Sequence, residues 1–283
     1  MPTLEEIIKT YGTIPELSDF KRPMFVGPHP DDIEFGCGAL LSKMKDKNAE
    51  PVFVIVTDGG AGTPDPNVAS KMLSDMRKEE AVKAAGFLGV EKVEFLDLPD
   101  DGEYTVEDII KRLAPVVLKY KPDAIFAPDS HLRTECHPDH LKTGEAVRYI
   151  TQIIPHPESL RRHNISIEGV EHFPDAITLA LYFSDEPNAL CEISEKNLEE
   201  KIAALMLHTS QVQDPSIGLL LNYFKLKAVQ CGKNSATGLA EEYQVLVPLT
   251  QHVYSSGIHY GKFRTRRAKF RSCLPWNFNN LDF

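Results

Sequence analysis

The sequence predicts a doubly wound α/β fold, a mostly parallel, Rossmann-like sheet with helices on both faces. Short runs of apolar, β-branched and aromatic residues alternate with longer helical patterns along the first half of the chain, an order typical of α/β proteins. The runs are continuous and not broken by polar residues, which is typical of strands covered on both faces. Neither a repeat nor a clear linker divides the chain, so we expect a single domain over residues 1–283.

Six strands are predicted from these apolar runs. The clearest is PVFVIVT, in which β-branched and aromatic side chains follow one another without a break. MFVG precedes it, VEFL and DAIFAP follow it, and AITLALYF and YQVLVPL lie in the second half of the chain. In chain order the predicted strands cover 24–27, 51–57, 93–96, 123–128, 176–183 and 243–249.

Four helices are predicted between and after these strands. One opens with Thr105-Val-Glu-Asp108, which fits a capping box at a helix start. Another repeats Leu198, Ile202 and Leu205 at the spacing of one apolar helix face. His208 is expected at the end of that helix, where a cation suits the helix dipole. The predicted helices cover 37–48, 68–88, 105–120 and 194–208.

Composition excludes several classes of function. A formal net charge of −10 argues against a nucleic-acid or anionic-membrane surface over the whole molecule. The basic stretch KFRTRRAKFR, at 262–271, is interpreted as a solvated tail or a subunit contact of a homo-oligomer. No apolar run approaches the ~18 residues of a membrane span, and the N-terminus lacks a signal-peptide pattern. Five scattered cysteines without a CxxC pair favour a cytoplasmic protein.

Two similar acidic-histidine motifs each follow a predicted strand. His29-Pro-Asp-Asp32 comes after the first strand, and His137-Pro-Asp-His140 comes shortly after the fourth. In a doubly wound sheet of strand order 3-2-1-4-5, strands 1 and 4 are neighbours, and ligands bind beside their carboxyl ends. We therefore expect both motifs to meet in one crevice, although about a hundred residues separate them. The alternative is that each His-Pro-Asp is only a capped turn.

The residue types of the two motifs suit a zinc site. A catalytic zinc ion takes three protein ligands from histidine and carboxylate side chains and keeps one position open. His29, Asp32 and His140 would supply such a set. Asp31 and His137 would then remain free for the proton transfers that hydrolysis requires.

Both motifs also carry a family resemblance. PHPDDIEFGCGALL and HPDH resemble the two metal-binding signatures of the N-acetylglucosaminyl deacetylases of the PIG-L/LmbE-like superfamily. VTDGGAG (56–62), MRKEEAVKAAGFLGV (76–90), HTSQV (208–212) and LAEEYQV (239–245) add support in that order. The resemblance covers a core of about 24–248 and leaves 249–283 as a C-terminal extension of unknown role. One departure is Glu135, where some thiol-sugar deacetylases carry a tyrosine.

The resemblance implies an activity, a cofactor and a role for each matching residue. The expected enzyme is a zinc-dependent hydrolase that removes an acetyl group from an amino sugar or its conjugate, with other divalent first-row metals as alternatives to zinc. His29, Asp32 and His140 would bind the ion, and Asp31 would be the general base. His137 would stabilise the oxyanion, and Asp139 would orient His137. Arg77 and Glu80 would contact the substrate.

Three alternatives remain open at this point. Arg77 and Glu80 have the i,i+3 spacing of an ordinary helix ion pair. The protein could be a catalytically idle metal- or sugar-binding protein on the same fold, although binding alone requires neither Asp31 nor His137. It could also be a nucleotide-dependent oxidoreductase, because GCGALL resembles a dinucleotide-binding loop. That motif, however, would need glycine where Leu41 stands.

Overall fold

The computed structural model describes residue 6 and residues 12–174, 176–212 and 217–252. Its described part contains one seven-stranded sheet of order β3-β2-β1-β4-β5-β7-β6. The strands are β1 Pro23–Gly27, β2 Val52–Thr57, β3 Lys92–Leu98, β4 Ala124–Pro128, β5 Thr178–Tyr182, β6 Ala189–Glu192 and β7 Ala240–Leu246. The helices are α1 Asp32–Met44, α2 Ser70–Phe87, α3 Val106–Tyr120, α4 Pro138–Ile153, α5 Pro157–Arg162, α6 Glu195–Leu205 and α7 Ile217–Gly232.

The predicted strand order 3-2-1-4-5 is confirmed. The first five strands of the chain pair in parallel in that order, and β7 closes this side of the sheet by pairing antiparallel with both β5 and β6. The four-residue β6 was not predicted, because a run as short as ALCE has no clear period. β7 begins at Ala240, three residues earlier than predicted, since Glu241 and Glu242 interrupt its apolar pattern.

Two hydrophobic cores lie on the two faces of the sheet, as the predicted fold requires. Successive strand residues point to opposite faces, so Phe25 packs in one core while Met24 and Val26 pack in the other. Buried residues of α1, α2, α6 and α7 belong to the first core. Those of α3, α4 and α5 belong to the second. The strands are therefore covered on both sides by helices.

The largest difference from the predicted helices concerns α1. It begins at Asp32, five residues before the predicted start, because the chain leaves β1 and turns into the helix within the His-Pro-Asp-Asp motif itself. Gly36 then lies against the ring of Tyr182, where an added Cβ would approach the ring carbons to 2.5 Å. Helices α4, α5 and α7 were not predicted. The capping box at Thr105 is present.

Two further expectations concern the ends of the chain and the membrane. Among the described residues, no helix combines the length and the apolar character that crossing a membrane requires. The basic stretch 262–271 and most of the predicted C-terminal extension lie outside the described residues.

Candidate metal and catalytic site

The two acidic-histidine motifs meet at the carboxyl ends of the neighbouring strands β1 and β4. β1 and β4 pair side by side, with Phe25 opposite Phe126. The first motif follows the carboxyl end of β1 and runs into α1. The second lies at the start of α4, where His137 is the residue before the helix and Pro138 is the first residue in it. The predicted convergence is therefore confirmed.

Three donor atoms of the predicted ligand set lie close together. The Asp32 Oδ2 atom is 3.0 Å from His29 Nδ1 and 3.3 Å from His140 Nε2. The three side chains form one of two groups of His, Asp or Glu whose donor atoms lie within 4.8 Å of one another among the described residues. Bonds of about 2.1 Å in a tetrahedral zinc site separate neighbouring ligand atoms by roughly 3.4 Å. The spacing therefore suits a zinc-sized ion.

The charge around His29 also favours a cation. Its imidazole is largely buried among three carboxylates, those of Asp32, Asp100 and Asp139. Burial by itself would lower the pKa of His29, but hydrogen bonds to the three carboxylates outweigh burial and raise that pKa to about 12. Burial by itself would also lower the pKa of His140, but the negative charge of Asp32 outweighs burial and raises that pKa. Such a concentration of buried negative charge stabilises positive charge at its centre.

Asp31 occupies a strained position beside this ligand set. It precedes α1 with a φ of 150°, a conformation that L-residues rarely adopt. One of its carboxylate oxygens lies 3.3 Å from Arg77 Nη2. Burial raises the pKa of Asp31 to about 6, against the opposing effect of the Arg77 charge. Strain of this kind is typical of functional sites, and a carboxylate with a pKa near 6 suits a general base.

Arg77 is held in place by the glycine-rich loop after β2. Its guanidinium is buried, donates to the carbonyls of Gly59 and Pro30, and forms an ion pair with Asp31. A Cβ added at Gly62 would lie 2.3 Å from Arg77 Nη1. Only a residue without a side chain leaves room for the guanidinium here. Its predicted contact with substrate stays a prediction.

The substrate contact predicted for Glu80 stays a prediction. The side chain is buried and accepts hydrogen bonds from the Thr209 hydroxyl and from both the backbone amide and the hydroxyl of Ser210. Both of its oxygens thus hold the segment that follows α6. Among the described residues, Arg77 pairs with Asp31 and not with Glu80, so the alternative of an i,i+3 ion pair between them is not formed.

His208 was expected to end α6, but the helix ends at Leu205. The His208 ring is fully buried and lies 3.3 Å from Glu34 on α1. Burial lowers its pKa, but the Glu34 carboxylate outweighs burial and raises it. The positive charge of His208 in turn lowers the pKa of Asp31. The segment after α6 therefore contacts both α1 and α2.

Asp139 was predicted to orient His137, and that role stays a prediction. Its carboxylate lies 3.3 Å from His29 Nε2 and accepts a hydrogen bond from the Tyr104 hydroxyl at 2.6 Å. The described contact with the His137 ring is made by the Asp139 backbone amide, which donates to His137 Nδ1 at 3.3 Å. The cause is the start of α4, which directs the amide of Asp139 toward His137 and its side chain toward His29.

Several site residues were not predicted. Asp100 lies 3.1 Å from His29 Nε2, and together with His137, His29 and Asp139 it forms the second potential metal-binding group. Glu135 lies 3.1 Å from His140 Nδ1 and accepts from two backbone amides. A sequence signal existed for Asp100 and Tyr104. PDDGEY directly follows the carboxyl end of strand β3, and the two motifs also lie at the carboxyl ends of strands.

The dinucleotide alternative does not fit this geometry. Gly36 and Gly38 lie inside helix α1, which begins at Asp32. A dinucleotide-binding loop would instead precede the helix and offer free backbone amides to the pyrophosphate. The helix start is here occupied by Asp31 and Asp32, whose charges would repel a phosphate group.

Comparisons with known proteins find relatives of this chain. The model of the GlcNAc-PI de-N-acetylase (PIG-L) family matches residues 24–151. The diacetylchitobiose deacetylase of Thermococcus kodakarensis is 30% identical over 241 residues, which cover 83% of this chain and 87% of that protein. The N,N'-diacetylchitobiose deacetylase structure from Pyrococcus horikoshii has a TM-score of 0.79 at 26% identity and covers 89% of this chain and 96% of its own.

A more distant structure has the same fold. The 4-carboxy-2-hydroxymuconate hydratase of Pseudomonas putida KT2440 has a TM-score of 0.64 at 20% identity and covers 81% of this chain and 97% of its own. Because that protein is named for a hydration and not for a deacetylation, the fold alone does not decide the reaction. The residues of the site have to decide it.

Proposed function

The chain belongs to the GlcNAc-PI de-N-acetylase (PIG-L) family of hydrolytic deacetylases, and from this premise we propose that it removes the acetyl group from an N-acetylated amino sugar or its conjugate with the help of a bound metal ion. The observation that carries the proposal is the grouping of His29, Asp32 and His140 beside the strained Asp31. The two relatives named as diacetylchitobiose deacetylases support short N-acetylglucosamine saccharides as the substrate class.

Zinc is the ion proposed, with other divalent first-row metals as alternatives. His29, Asp32 and His140 would hold it, because a mixed set of two imidazoles and one carboxylate is typical of catalytic zinc. When bound, zinc supplies a Lewis acid for the amide carbonyl and makes water acidic enough to ionise near neutral pH.

Asp31 is proposed as the general base. Its carboxylate would accept a proton from the attacking water as the new carbon–oxygen bond forms, and would later return that proton to the departing nitrogen. A pKa of about 6 keeps the carboxylate mostly ionised at neutral pH and still basic enough to accept a proton. Arg77, 3.3 Å away, fixes the carboxylate and favours its charged form.

His137 is proposed to stabilise the negative oxygen of the tetrahedral intermediate. Its Nδ1 accepts from the Asp139 amide, so a neutral His137 ring carries its proton on Nε2, where it can donate to an oxyanion. The side chain is 37% exposed, against 10% for His29 and 14% for His140. His137 is thus the most accessible histidine of the three, as contact with a substrate requires. Breakage of the carbon–nitrogen bond then yields acetate and a free amine.

The experiment that tests this proposal measures amine and acetate release from N,N'-diacetylchitobiose and N-acetylglucosamine. Zinc-loaded protein is expected to release both products in equal amounts, a chelator should stop the reaction, and added zinc should restore it. N-acetyl-lysine serves as a matched amide without a sugar. If zinc-loaded protein leaves every N-acetylated sugar intact, the proposal is wrong, and an idle metal- or sugar-binding protein becomes the better interpretation.

A further inference from the structure

The Tyr104 hydroxyl lies at the end of the loop that follows β3 and donates a short hydrogen bond, 2.6 Å long, to Asp139. We propose that Tyr104 is a positioning residue that acts through Asp139 on the metal ligand His29 and increases the affinity of the site for its ion. The inference rests on the metal site proposed above and adds a residue that lies outside both acidic-histidine motifs.

Asp139 is the link between Tyr104 and the ligand. Its side chain is fully buried, and among the described residues three groups lie within 3.3 Å of the carboxylate: the Tyr104 hydroxyl, the Asp101 backbone amide at 3.0 Å, and His29 Nε2 at 3.3 Å. The first two come from the loop after β3, and the third comes from the loop after β1. A buried carboxylate with donors from two separate loops has one favoured orientation, and Tyr104 supplies the shortest of the three contacts.

The orientation of Asp139 affects which nitrogen of His29 can bind an ion. His29 Nδ1 lies on the side of Asp32, while His29 Nε2 faces Asp139. When Nε2 donates its hydrogen to a carboxylate, the proton stays there and the Nδ1 lone pair remains for a metal. Asp100 also lies near Nε2, at 3.1 Å. Loss of the Tyr104 contact is therefore expected to weaken this arrangement without abolishing it.

Tyr104 is itself well fixed. The residue is buried, and the Lys142 ammonium lies 4.0 Å from the centre of its ring. Lys142 lies on helix α4, as Asp139 does, and its Nζ is 3.9 Å from Asp139 Oδ1. The simpler interpretation is that Tyr104 only ties the loop after β3 to α4. Such a structural role would affect the stability of the protein and leave the affinity for metal unchanged.

The test is the zinc affinity of a Tyr104→Phe variant, measured by competition with a chromophoric chelator on the full chain. This change removes one hydroxyl and keeps the ring, and we expect zinc to bind about 10-fold more weakly, the lower end of the range for lost partners of metal ligands. Tyr120→Phe is the matched control. Its hydroxyl makes an equally short bond of 2.6 Å to Glu94 at a distance from the site, and its loss should leave the zinc affinity unchanged.

A double-mutant cycle with Asp139→Asn shows whether the effect passes through Asp139. If it does, adding Tyr104→Phe to Asp139→Asn costs little further affinity. Additive losses, or a Tyr104→Phe variant with a lower unfolding temperature but the zinc affinity of the wild type, overturn the inference and leave the proposed function intact. If the wild-type protein binds no zinc, zinc as the proposed ion fails first and the inference fails with it.

Discussion

Asp31 and Asp139 occupy the same place in two identical His-Pro-Asp tripeptides, yet their surroundings differ. Asp31 precedes its helix in a strained conformation and pairs with a single arginine. Asp139 lies inside its helix, is fully buried and accepts from several donors. Burial raises the pKa of both carboxyls, but only at Asp139 do hydrogen bonds, led by that of His29, outweigh burial. One aspartate can thus exchange protons near neutral pH, and the other cannot.

The difference comes from where each helix starts. In the first motif, α1 begins after the tripeptide, at Asp32, so that Asp31 directly precedes the helix in an unusual conformation. In the second motif, α4 begins at Pro138, within the tripeptide, and carries Asp139 into the interior. A shift of two residues in the helix start therefore separates the proposed general base, Asp31, from the buried, hydrogen-bonded Asp139. Identical sequence motifs can in this way take different chemical roles.

The largest expected effect comes from replacing each aspartate by asparagine. At saturating zinc, Asp31→Asn is expected to lower kcat by about 10²–10⁴, the usual contribution of a positioned acid–base group, and to keep its metal. Asp139→Asn is expected to weaken zinc binding and to regain most of kcat in excess zinc. Steady-state rates and zinc titrations on both variants check this. Equal losses of kcat in the two variants would contradict the division of roles.

A smaller effect is expected from Gly62→Ala, which changes the surroundings of Asp31 and not the residue itself. The new methyl group would displace the Arg77 guanidinium, and kcat/KM should fall on the order of 10-fold. Because Arg77 lowers the pKa of Asp31, its displacement raises that pKa. Activity needs the ionised carboxylate, so the rise of kcat/KM with pH should move to higher pH.

Gly86→Ala is the matched control for this change. It lies on the same helix as Arg77, nothing lies within 4 Å of the added Cβ, and the substitution should leave the pH profile unchanged. A Gly62→Ala variant with the rate and pH profile of the wild type would show that Arg77 does not support Asp31.

The smallest expected effect concerns stability on the Asp31 side of the site. The pKa of His208 is raised in the folded protein, against burial, by Glu34. The pair therefore stabilises the fold fully below about pH 6.5, the usual histidine value, and this contribution is lost as pH rises through the raised pKa. His208→Gln should lower the free energy of unfolding by about 1–3 kcal/mol at pH 6, and by less at pH 9.

Chemical denaturation at the two pH values measures this difference. The matched control is His163→Gln, which removes a more exposed pair with Glu107 and should cost under about 1 kcal/mol. A loss at His208 that does not change with pH would mean that the ring contributes by packing and not by charge.

The sequence was sufficient for the order of the first five strands and for the meeting of the two motifs. Both follow from local signals, because apolar runs mark the strands and each motif follows the end of a strand. The partners of Glu80, His208 and Asp139 could not be predicted in this way. Glu80 binds a segment about 130 residues away, and the partner of Asp139 depends on the residue at which a helix starts. Contacts of this kind are decided by packing, which a local pattern does not contain.

The central claim is that His29, Asp32 and His140 hold the ion, and the metal content of two histidine variants tests it most directly. His137 and His140 belong to the same motif, but each belongs to a different one of the two groups that share His29. Elemental analysis of zinc-loaded, dialysed protein should give about one ion per chain for the wild type and for His137→Ala, and almost none for His140→Ala. Full occupancy in His140→Ala together with metal loss in His137→Ala would contradict the claim and place the ion between His137, Asp100 and Asp139.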